Sequence, residues 1–489
     1  MPDNGAPPRN APAPHPPPDL AVHFAGIRSP NPFWLASAPP TNSGEQIMRA
    51  FDAGWGGAVW KTIGEPIVNV SSRYSSVDWN GQRMMGLNNI ELISDRPLAD
   101  NLREIADVKK RYPRHAVIAS LMVESKREAW HTIVAQAEDA GADGLELNFG
   151  CPHGMSERGM GSAVGQVPEY TEMITAWVKE KARTPVIVKL TPNISDIRVI
   201  AHAALRGGAD AVSAINTINS ITGIDLDTLI PRPSVDGKSS HGGYCGPAVK
   251  PIALNMVQQV ASDPETATLP ISGIGGIATW QDAAEFILLG CGTVQVCTAV
   301  MHYGYRIVED LIDGLSHWMA QKGFATIEDF RGASVARITE WKHLNLSYKI
   351  VARIDTAKCI GCGLCYIACW DGAHQCIHLD RATGPIDGHD PEMHTKPAAV
   401  EAATRASIAV TPIPKLDPPV AARADGKSTT PLARIPRVDE TECVGCNLCS
   451  LVCPVHHCIT MVEVATGAPA KTWAERTHAA ECAPPRSSG

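Results

Sequence analysis

Two short runs of cysteines near the C-terminus carry the clearest chemistry in this chain. Each run has the spacing C-x₂-C-x₂-C-x₃-C, over Cys359–Cys369 in the first and Cys443–Cys453 in the second. Such runs bind [4Fe–4S] clusters, and where a chain has two runs the fourth cysteine of each ligates the cluster held by the other. The first cluster is therefore predicted on Cys359, Cys362, Cys365 and Cys453. The second is predicted on Cys443, Cys446, Cys449 and Cys369.

Zinc sites and free thiols are the alternatives for these cysteines. Zinc usually binds to two pairs of Cys or His residues, not to two triplets that are each followed by a further cysteine. The first run is followed by Trp370, where a proline is usual. Cys376 and Cys458 lie outside the spacing and are expected to be buried core thiols. Iron–sulfur clusters are the prediction for both runs.

Polar residues that could bind a cofactor or substrate stand at the ends of short apolar runs between residues 24 and 300. Five of these runs end in a polar side chain, namely Ser37, Lys61, Asn148, Lys189 and Asn216. Two later runs lead into Gly273–Gly276 and Cys297–Thr298. Glycine-rich turns expose backbone N–H groups that can hold a phosphate. Because the clusters carry single electrons, a flavin is the expected cofactor that exchanges them for electron pairs.

Cys151 follows the run that ends at Asn148, so it is expected at the same edge as those polar residues. A thiol of ordinary pKa can donate a proton near neutral pH, and this position predicts a proton donor. A buried structural cysteine is the alternative.

The elements that must position these residues alternate regularly along the chain. Eight apolar runs are typical of strands buried on both faces: Phe33–Ala38, Gly57–Ile63, Ala116–Met122, Gly144–Phe149, Val186–Leu190, Ala211–Asn216, Ile271–Ile274 and Val294–Cys297. Stretches with apolar residues at helical spacing lie between them, such as Gly44–Ala53 and Trp280–Leu289. Eight such units predict an α/β fold, a (β/α)₈ TIM barrel, with its chemistry at the carboxyl ends of the strands. A doubly wound sheet is the alternative.

The predicted domain organisation follows from these patterns. It comprises a disordered lead-in over 1–18, the barrel over 19–320, a helical linker over 321–349, a two-cluster domain over 350–465 with an insertion over 396–434, and a flexible tail over 466–489.

Composition narrows the expected partners. A formal net charge of −8 and a pI near 6.1 exclude a strongly basic nucleic-acid surface. The most apolar stretch, Phe286–Met301, is short for a bilayer span and is interrupted by glycines. The start of the chain lacks the charged-then-apolar pattern of a secretory signal. A soluble, cytoplasmic protein that binds neither nucleic acid nor membrane is therefore expected.

At these residues the chain resembles the dihydropyrimidine dehydrogenase family, within the wider group of dihydroorotate dehydrogenase-like barrels. The resemblance extends from residue 20 to about 464, and chain length and domain order are most similar to the bacterial NAD-dependent catalytic subunits, which carry a C-terminal bacterial-type ferredoxin domain. The motifs that carry it are Leu35–Pro39, Gly54–Gly57, Lys61–Thr62, Asn69–Ser71, Asn89–Ile93, Leu147–Asn148 with Cys151–Pro152, Lys189–Asn193, Asn216–Thr217, Gly273–Gly276 and the two cysteine runs.

The resemblance implies a cofactor, a substrate and a reaction. FMN is expected to contact Ala36, Ser37, Lys61, Asn148, Lys189, Gly246, Gly275, Gly276 and Thr298. The pyrimidine is expected to bind to Asn89, Asn148, Asn216 and Thr217, whose side chains offer hydrogen-bond donors and acceptors. The implied reaction reduces uracil or thymine to its 5,6-dihydro form, with hydride transfer from N5 of FMN to C6 and protonation of C5 by Cys151.

A partner subunit is also implied. The sequence has no Gly-x-Gly-x-x-Gly between a strand and a helix, so no dinucleotide-binding fingerprint is found. The family supplies a flavoprotein that carries FAD and an NAD site, which leads to the expectation of a heterotetramer.

The chain departs from the family pattern at three places. Gly150 stands before the cysteine where a serine is usual, Tyr244-Cys245 precedes Gly246, and the insertion between the cysteine runs is long. Other functions therefore stay open at this point. They are a dihydroorotate dehydrogenase subunit, an oxidoreductase of another unsaturated cyclic substrate, and an electron-transfer module without catalysis.

Overall fold

The computed structural model describes residues 17–65, 67–152, 154–381, 384–385 and 434–476. The chain divides into two compact units, Met1–Ile338 and Thr339–Gly489. The predicted lead-in up to residue 16, the insertion over 396–433 and the tail beyond residue 476 lie outside the described residues.

Eight parallel strands close into a barrel in the first unit, in chain order around the ring. They are β1 Phe33–Leu35, β2 Gly57–Ile63, β3 Ala116–Leu121, β4 Gly144–Asn148, β5 Val186–Lys189, β6 Ala211–Ala214, β7 Ile271–Ile274 and β8 Cys291–Val296. Nearly all of their residues are buried, as expected for strands covered by helices outside and filled by side chains inside. The predicted (β/α)₈ barrel is confirmed.

One long helix follows each strand and covers the outside of the barrel. The helices are α1 Gly44–Ala53, α2 Leu98–Arg111, α3 Arg127–Asp139, α4 Pro168–Lys179, α5 Ile197–Arg206, α6 Lys250–Ser262, α7 Trp280–Leu288 and α8 Ile307–Lys322. Local sequence fixes their ends. For example, the Ser43 side chain accepts a hydrogen bond from Gln46 N at the start of α1, and Gly54 ends that helix with φ +117°.

A four-stranded antiparallel sheet stands among the loops that follow the barrel strands. Its order is Ile218–Ser220, Gly242–Cys245, Gln82–Asn89 and Tyr74–Trp79. The first two strands are inserted between β6 and α6, and the other two between β2 and α2, so both insertions leave from carboxyl ends of barrel strands. The sequence interpretation did not identify this sheet. Its one local signal is Asn80-Gly81, both with positive φ, which is the preferred pair for a tight hairpin turn.

The segment predicted as a helical linker, 321–349, does not form one continuous helix. Helix α8 ends at Lys322 because Gly323 adopts φ +75° and caps it. The chain then makes three short 3₁₀ turns, Ile327–Asp329, Val335–Arg337 and Trp341–His343. Further short elements of the first unit are the strands Val22–Phe24 and Ile27–Ser29, the helices Ser162–Gly165 and Thr298–Tyr303, and the 3₁₀ turns Pro39–Thr41, Ser156–Arg158 and Pro247–Val249.

The second unit consists of two similar halves around a core rich in cysteine. Strand β9 Ile350–Ile354 pairs with β13 Ile459–Glu463, and β10 Ile377–Arg381 pairs with β11 Gly384–Pro385 and β12 Arg434–Val438. Helix α9 Leu364–Gly372 carries Cys365 and Cys369 of the first run, and helix α10 Leu448–Leu451 carries Cys449 of the second. No helix among the residues described in either unit combines the length and apolarity needed to cross a bilayer.

Candidate active site and cluster sites

The residues predicted to bind flavin and substrate lie around two adjoining cavities at the carboxyl ends of the barrel strands. The first cavity is lined by Ala36, Ser37, Lys61, Asn89, Asn148, Cys151, Lys189, Asn216, Thr217 and Gly275. The second is lined by Gly246, Gly275, Gly276 and Thr298. Cys245 and Cys297 line both cavities. The barrel therefore brings together residues as far apart in the sequence as Ala36 and Thr298, as the strand-end argument predicts.

A chain of hydrogen bonds fixes the amide groups of the first cavity. Asn216 Nδ2 donates to Asn148 Oδ1 at 2.9 Å, and Asn148 Nδ2 donates to Thr62 Oγ1 at 2.9 Å. The backbone N–H of Thr217 donates to Asn216 Oδ1 at 2.8 Å. Both amides thus have a defined orientation, which presents known donors and acceptors to a ligand.

The glycine before Cys151 has a packing reason. A Cβ atom on Gly150 would overlap the side chain of Asn216, at 2.5 Å from its Nδ2. Asn216 occupies the space that the usual serine side chain would need. Glycine at position 150 therefore leaves room for a predicted substrate-binding amide in the position that it has in this structure.

Replacing Gly150 by serine is expected to raise the KM for the expected pyrimidine substrate by about 10-fold or more, because Asn216 must move away and leave its hydrogen-bond partners. Steady-state kinetics will measure the KM, and flavin content will show whether the cofactor is retained. A Ser156→Ala variant in the following loop is the control. An unchanged KM would mean that Asn216 does not bind substrate.

Lys61 belongs to a buried ion pair at the cavity wall. Its Nζ lies 2.7 Å from Glu91 Oε1, and both side chains are almost fully buried. Arg73 Nη1 also lies 2.7 Å from Glu91 Oε1, and Tyr74 OH donates to Glu91 Oε2 at 2.5 Å. Burial and this hydrogen bond raise the pKa of Tyr74, so its hydroxyl remains a donor.

Lys189 forms an ion pair with Glu146, a buried carboxylate inside the barrel. Its Nζ lies 3.4 Å from Glu146 Oε1, which is an ion-pair distance without hydrogen-bond geometry. The other oxygen of this fully buried carboxylate accepts from Ser213 Oγ at 2.8 Å and from Gln295 Nε2 at 3.0 Å. Glu146 thereby anchors the cationic side chain at the cavity floor.

The second cavity has the features of a phosphate site. Gly275 and Gly276 adopt φ +134° and +74°, and a Cβ on Gly276 would come within 2.9 Å of Gly246 O. The turn therefore requires glycine, and it leaves room for an anion beside its backbone N–H groups. With the buried ammonium groups of Lys61 and Lys189 and the Asn148 amide, this donor set fits FMN.

Three thiols stand in these cavities, and they differ in environment. Burial raises the pKa of Cys245 to about 11, and its Sγ contacts Leu87 O at 3.3 Å and Thr298 Oγ1 at 3.2 Å. Burial also raises the pKa of Cys297 well above its usual range. Cys151 lies on the loop after β4, which closes through a hydrogen bond from Ser162 N to Cys151 O at 3.0 Å.

Alkylation with iodoacetamide near neutral pH is expected to modify Cys151 before Cys245 and Cys297 in the holoprotein. At about pH 8 only about a thousandth of Cys245 is thiolate, the reactive form, because its pKa is about 11. The pKa of Cys245 is higher in the folded protein than in the unfolded chain, so the protonated thiol stabilises the folded state. This contribution to the free energy of unfolding is lost as the pH rises from about 8.5 to about 11. Peptide mass spectrometry over time will rank the thiols, and earlier modification of Cys245 would contradict the assignment.

The second unit brings together the cysteines assigned to each cluster. Cys359, Cys362, Cys365 and Cys453 line one cavity, and Cys369, Cys443, Cys446 and Cys449 line another. Backbone N–H groups point at the sulfurs, as from Gly361 N to Cys359 Sγ at 3.4 Å. Four converging thiols in each cavity fit a [4Fe–4S] cluster. The absent proline is explained as well, because Trp370 continues helix α9 and donates from Nε1 to Ile377 O at 2.6 Å.

Sequence interpretation missed several residues of the first cavity, above all Glu91, Tyr74 and Thr62. A signal for Glu91 did exist. Asn89, Glu91, Leu92 and Ile93 all line the cavity, so the Asn89–Ile93 motif marked this segment although only Asn89 was assigned to the site. For Tyr74 we find no comparable signal, because its contact with Glu91 depends on the hairpin.

Comparisons with known proteins match both units of the chain to known families. A family model described as "Dihydroorotate dehydrogenase" matches residues 19–319, and one described as "4Fe-4S dicluster domain" matches residues 358–457. The chain is 47% identical over 366 residues to the Escherichia coli protein named NAD-dependent dihydropyrimidine dehydrogenase subunit PreA, covering 75% of this chain and 89% of that protein. It is 43% identical to the Arabidopsis thaliana chloroplastic dihydropyrimidine dehydrogenase (NADP(+)), covering 73% and 85%. It is 36% identical over 316 residues to the catalytic subunit of dihydroorotate dehydrogenase B (NAD(+)) from Pyrococcus abyssi, covering 65% and 99%.

Proposed function

Because this chain belongs to the dihydroorotate dehydrogenase family, here joined to a 4Fe–4S dicluster domain, we propose that it is the catalytic subunit of a dihydropyrimidine dehydrogenase. The proposed reaction reduces uracil or thymine to the 5,6-dihydro base. The dihydropyrimidine dehydrogenases among its relatives support this, at 47% and 43% identity.

The charged side chains that line the first cavity favour a neutral pyrimidine as substrate over orotate, which carries a carboxylate. Among the described residues that line it, Lys61, Glu91 and Lys189 carry the formal charges. Each lysine faces a buried carboxylate, Lys61 facing Glu91 and Lys189 facing Glu146. A substrate carboxylate would have to compete with these pairs and would meet the negative charge of Glu91. Uracil and thymine carry no such charge.

The part of the chain that each relative matches also favours dihydropyrimidine dehydrogenase over dihydroorotate dehydrogenase. The relative named dihydroorotate dehydrogenase B is matched over 99% of its own length by 316 residues of this chain, a span close to that of the barrel match. The dicluster match lies at residues 358–457, and its clusters need a route for single electrons. A reaction that draws electrons through this second unit therefore accounts for more of the chain.

FMN, when bound, supplies hydride transfer to or from the C6 position of the pyrimidine. Ala36, Ser37, Lys61, Asn148, Lys189, Gly246, Gly275, Gly276 and Thr298 would hold it. The family binds this cofactor, and the glycine turn and buried ammonium groups described above fit it.

The chain's own residues would orient the base and move one proton. Asn89, Asn148, Asn216 and Thr217 would bind its carbonyl and ring N–H groups, with the Asn148 and Asn216 amides held in place by Thr62 and the Thr217 N–H. Cys151 Sγ would donate the proton to C5, and in the reverse direction its thiolate would remove that proton. Lys61 and Lys189 are held by Glu91 and Glu146, and these carboxylates act as positioning residues.

We further propose a partner flavoprotein that carries FAD and an NAD site, in a heterotetramer with this chain. Two relatives are named as subunits, and both of their names include NAD. The sequence lacks the glycine fingerprint of a dinucleotide-binding turn. Electrons would run from NADH through the partner and the clusters of this chain to the barrel site.

An anaerobic half-reaction tests the proposed function. The chain, reconstituted with FMN and clusters, is reduced with dithionite and freed of excess, and its flavin absorbance is followed as uracil is added. Reoxidation with formation of dihydrouracil is expected. Reoxidation by orotate but not by uracil or thymine would favour dihydroorotate chemistry, and a chain that binds no flavin would be an electron-transfer module.

A further inference from the structure

Each cluster cavity of the second unit contains one cysteine more than a [4Fe–4S] cluster needs. The cavity around Cys359, Cys362, Cys365 and Cys453 is also lined by Cys458, and the cavity around Cys369, Cys443, Cys446 and Cys449 is also lined by Cys376. Four thiolates complete such a cluster. One thiol in each cavity is therefore left over.

The extra thiol of the second cavity lies against two predicted ligands. Cys376 Sγ is 3.6 Å from Cys369 Sγ and is within hydrogen-bonding reach of Cys443 as well. Its backbone N–H donates to Cys369 Sγ at 3.3 Å. Cys376 is buried, so this side chain faces the cluster cavity and not solvent.

The other half of the unit repeats this arrangement. Cys458 is within hydrogen-bonding reach of Cys453 and Cys359, which again are the last cysteine of one run and the first of the other. Each extra cysteine directly precedes a strand, Cys376 before β10 and Cys458 before β13.

An aspartate at the start of each run fixes the backbone of the extra cysteine. Asp439 N donates to Cys376 O at 2.8 Å, and Asp355 N donates to Cys458 O at 2.7 Å. A cysteine that merely fills the core would not be expected at equivalent places beside the same two ligands in both halves.

We propose that Cys376 and Cys458 are reserve ligands, each able to replace the last cysteine of a run, Cys369 or Cys453, on the iron of its cluster. In the exchange the bond between iron and Cys369 Sγ breaks and a bond between the same iron and Cys376 Sγ forms. The proton of the incoming thiol moves to the departing sulfur across their contact. No electron is transferred, and the cluster keeps four thiolate ligands and its charge.

This inference concerns the clusters and does not depend on which substrate the barrel reduces. Its tests use the full-length chain, reconstituted anaerobically with iron and sulfide, and they read out iron content, sulfide content and the electron paramagnetic resonance of the reduced clusters. The variants are Cys369→Ala, Cys376→Ala and the double variant. Cys446→Ala is the matched control, because Cys446 ligates the same cluster but has no contact with Cys376 among those the structure gives.

Cys369→Ala is expected to keep both clusters, with an altered spectrum for one of them. The double variant is expected to lose one cluster, and Cys446→Ala to lose that cluster or its corner iron. The first cluster reports on folding in every variant, since its ligands are unchanged. If Cys369→Ala loses as much iron and sulfide as the double variant, the reserve role is overturned and Cys376 acts only as a buried hydrogen-bond donor.

A second measurement covers the case in which Cys369→Ala does not fold. Cys376→Ala keeps all eight predicted ligands, and it is expected to release iron to a chelator at least several-fold faster than the unaltered chain. Cys458→Ala is expected to do the same at the other cluster. Release at the unaltered rate in both variants would overturn the proposal.

Discussion

Replacing Cys151 by alanine is expected to lower the rate of uracil reduction by about 10²–10⁴-fold, which is the usual contribution of a positioned acid. Among the described residues that line the first cavity, the ammonium groups of Lys61 and Lys189 face Glu91 and Glu146, and the other acidic protons are firmly held. Tyr74 has a raised pKa and donates its hydroxyl to Glu91. Burial raises the pKa of Cys245 and Cys297, and these thiols also hold their protons. The variant is expected to retain its flavin and its clusters.

Rapid mixing of the dithionite-reduced chain with uracil will measure this rate from the flavin absorbance. In heavy water the unaltered enzyme is expected to place one deuterium at C5, and the variant should make this product slowly. Uracil binding to the oxidised chain should change little, which separates proton transfer from binding. Glu157→Gln is the matched control, since this exposed carboxylate stands in the same loop. A full rate in Cys151→Ala would remove this thiol from the mechanism.

The barrel could be predicted because its signal is local. Runs such as Gly57–Ile63 are apolar on both faces, and the helix between two of them needs only its own spacing to be recognised. The same holds for the cysteine runs, in which ligand number and spacing define the chemistry. Closure of the barrel then placed strand-end residues such as Lys61 and Asn216 around one cavity without any knowledge of their contacts.

The contacts within the site could not be predicted in this way. Ile218–Ser220 pairs with Gly242–Cys245 across a long loop, and neither strand is an apolar run. Their sheet pairs Tyr244 with Asn88, and it places the ring of Tyr244 where a Cβ on Gly86 would stand. This contact gives a reason for glycine at position 86 and for the unusual tyrosine before Cys245. Such reasons depend on residues distant in the sequence, so a single chain does not reveal them.

The predicted helical linker illustrates the same limit. Apolar residues recur at helical spacing over Ile307–Leu315, but a single backbone conformation at Gly323 ends the helix at Lys322. A pattern of apolar residues reports which face can be buried, and it does not report where a glycine adopts positive φ.

Replacing Glu91 by glutamine is expected to destabilise the barrel strongly and to release FMN. The carboxylate neutralises both Lys61 and Arg73, whose nitrogens lie 2.7 Å from the same oxygen. Without it, two cations face each other at a buried site. Leaving a buried charge without its partner costs about 3–5 kcal/mol.

Replacing the lysine of this pair, and not the glutamate, tests whether the two residues contribute unequally to stability. Lys61→Met removes the ammonium, but Arg73 and Tyr74 still contact Glu91, so a smaller loss of stability is expected. The double variant Lys61→Met/Glu91→Leu should regain much of the stability because no unpaired charge from this pair stays buried. It should still lack flavin-dependent activity, since the cation proposed to contact FMN is gone.

Thermal unfolding followed by circular dichroism will rank these variants, and a fall of several degrees is expected for Glu91→Gln, since about 1 kcal/mol corresponds to about 2–4 °C in a domain of roughly 150–250 residues. Retained FMN, read from absorbance after gel filtration, is the second measurement. Glu309→Gln, which removes a carboxylate from an exposed pair with Arg306, should change neither. If Lys61→Met proves as damaging to stability as Glu91→Gln, then Arg73 and Tyr74 do not compensate the carboxylate. The site would then depend on the Lys61–Glu91 pair itself, and not on the neutralisation of Glu91 by any nearby donor.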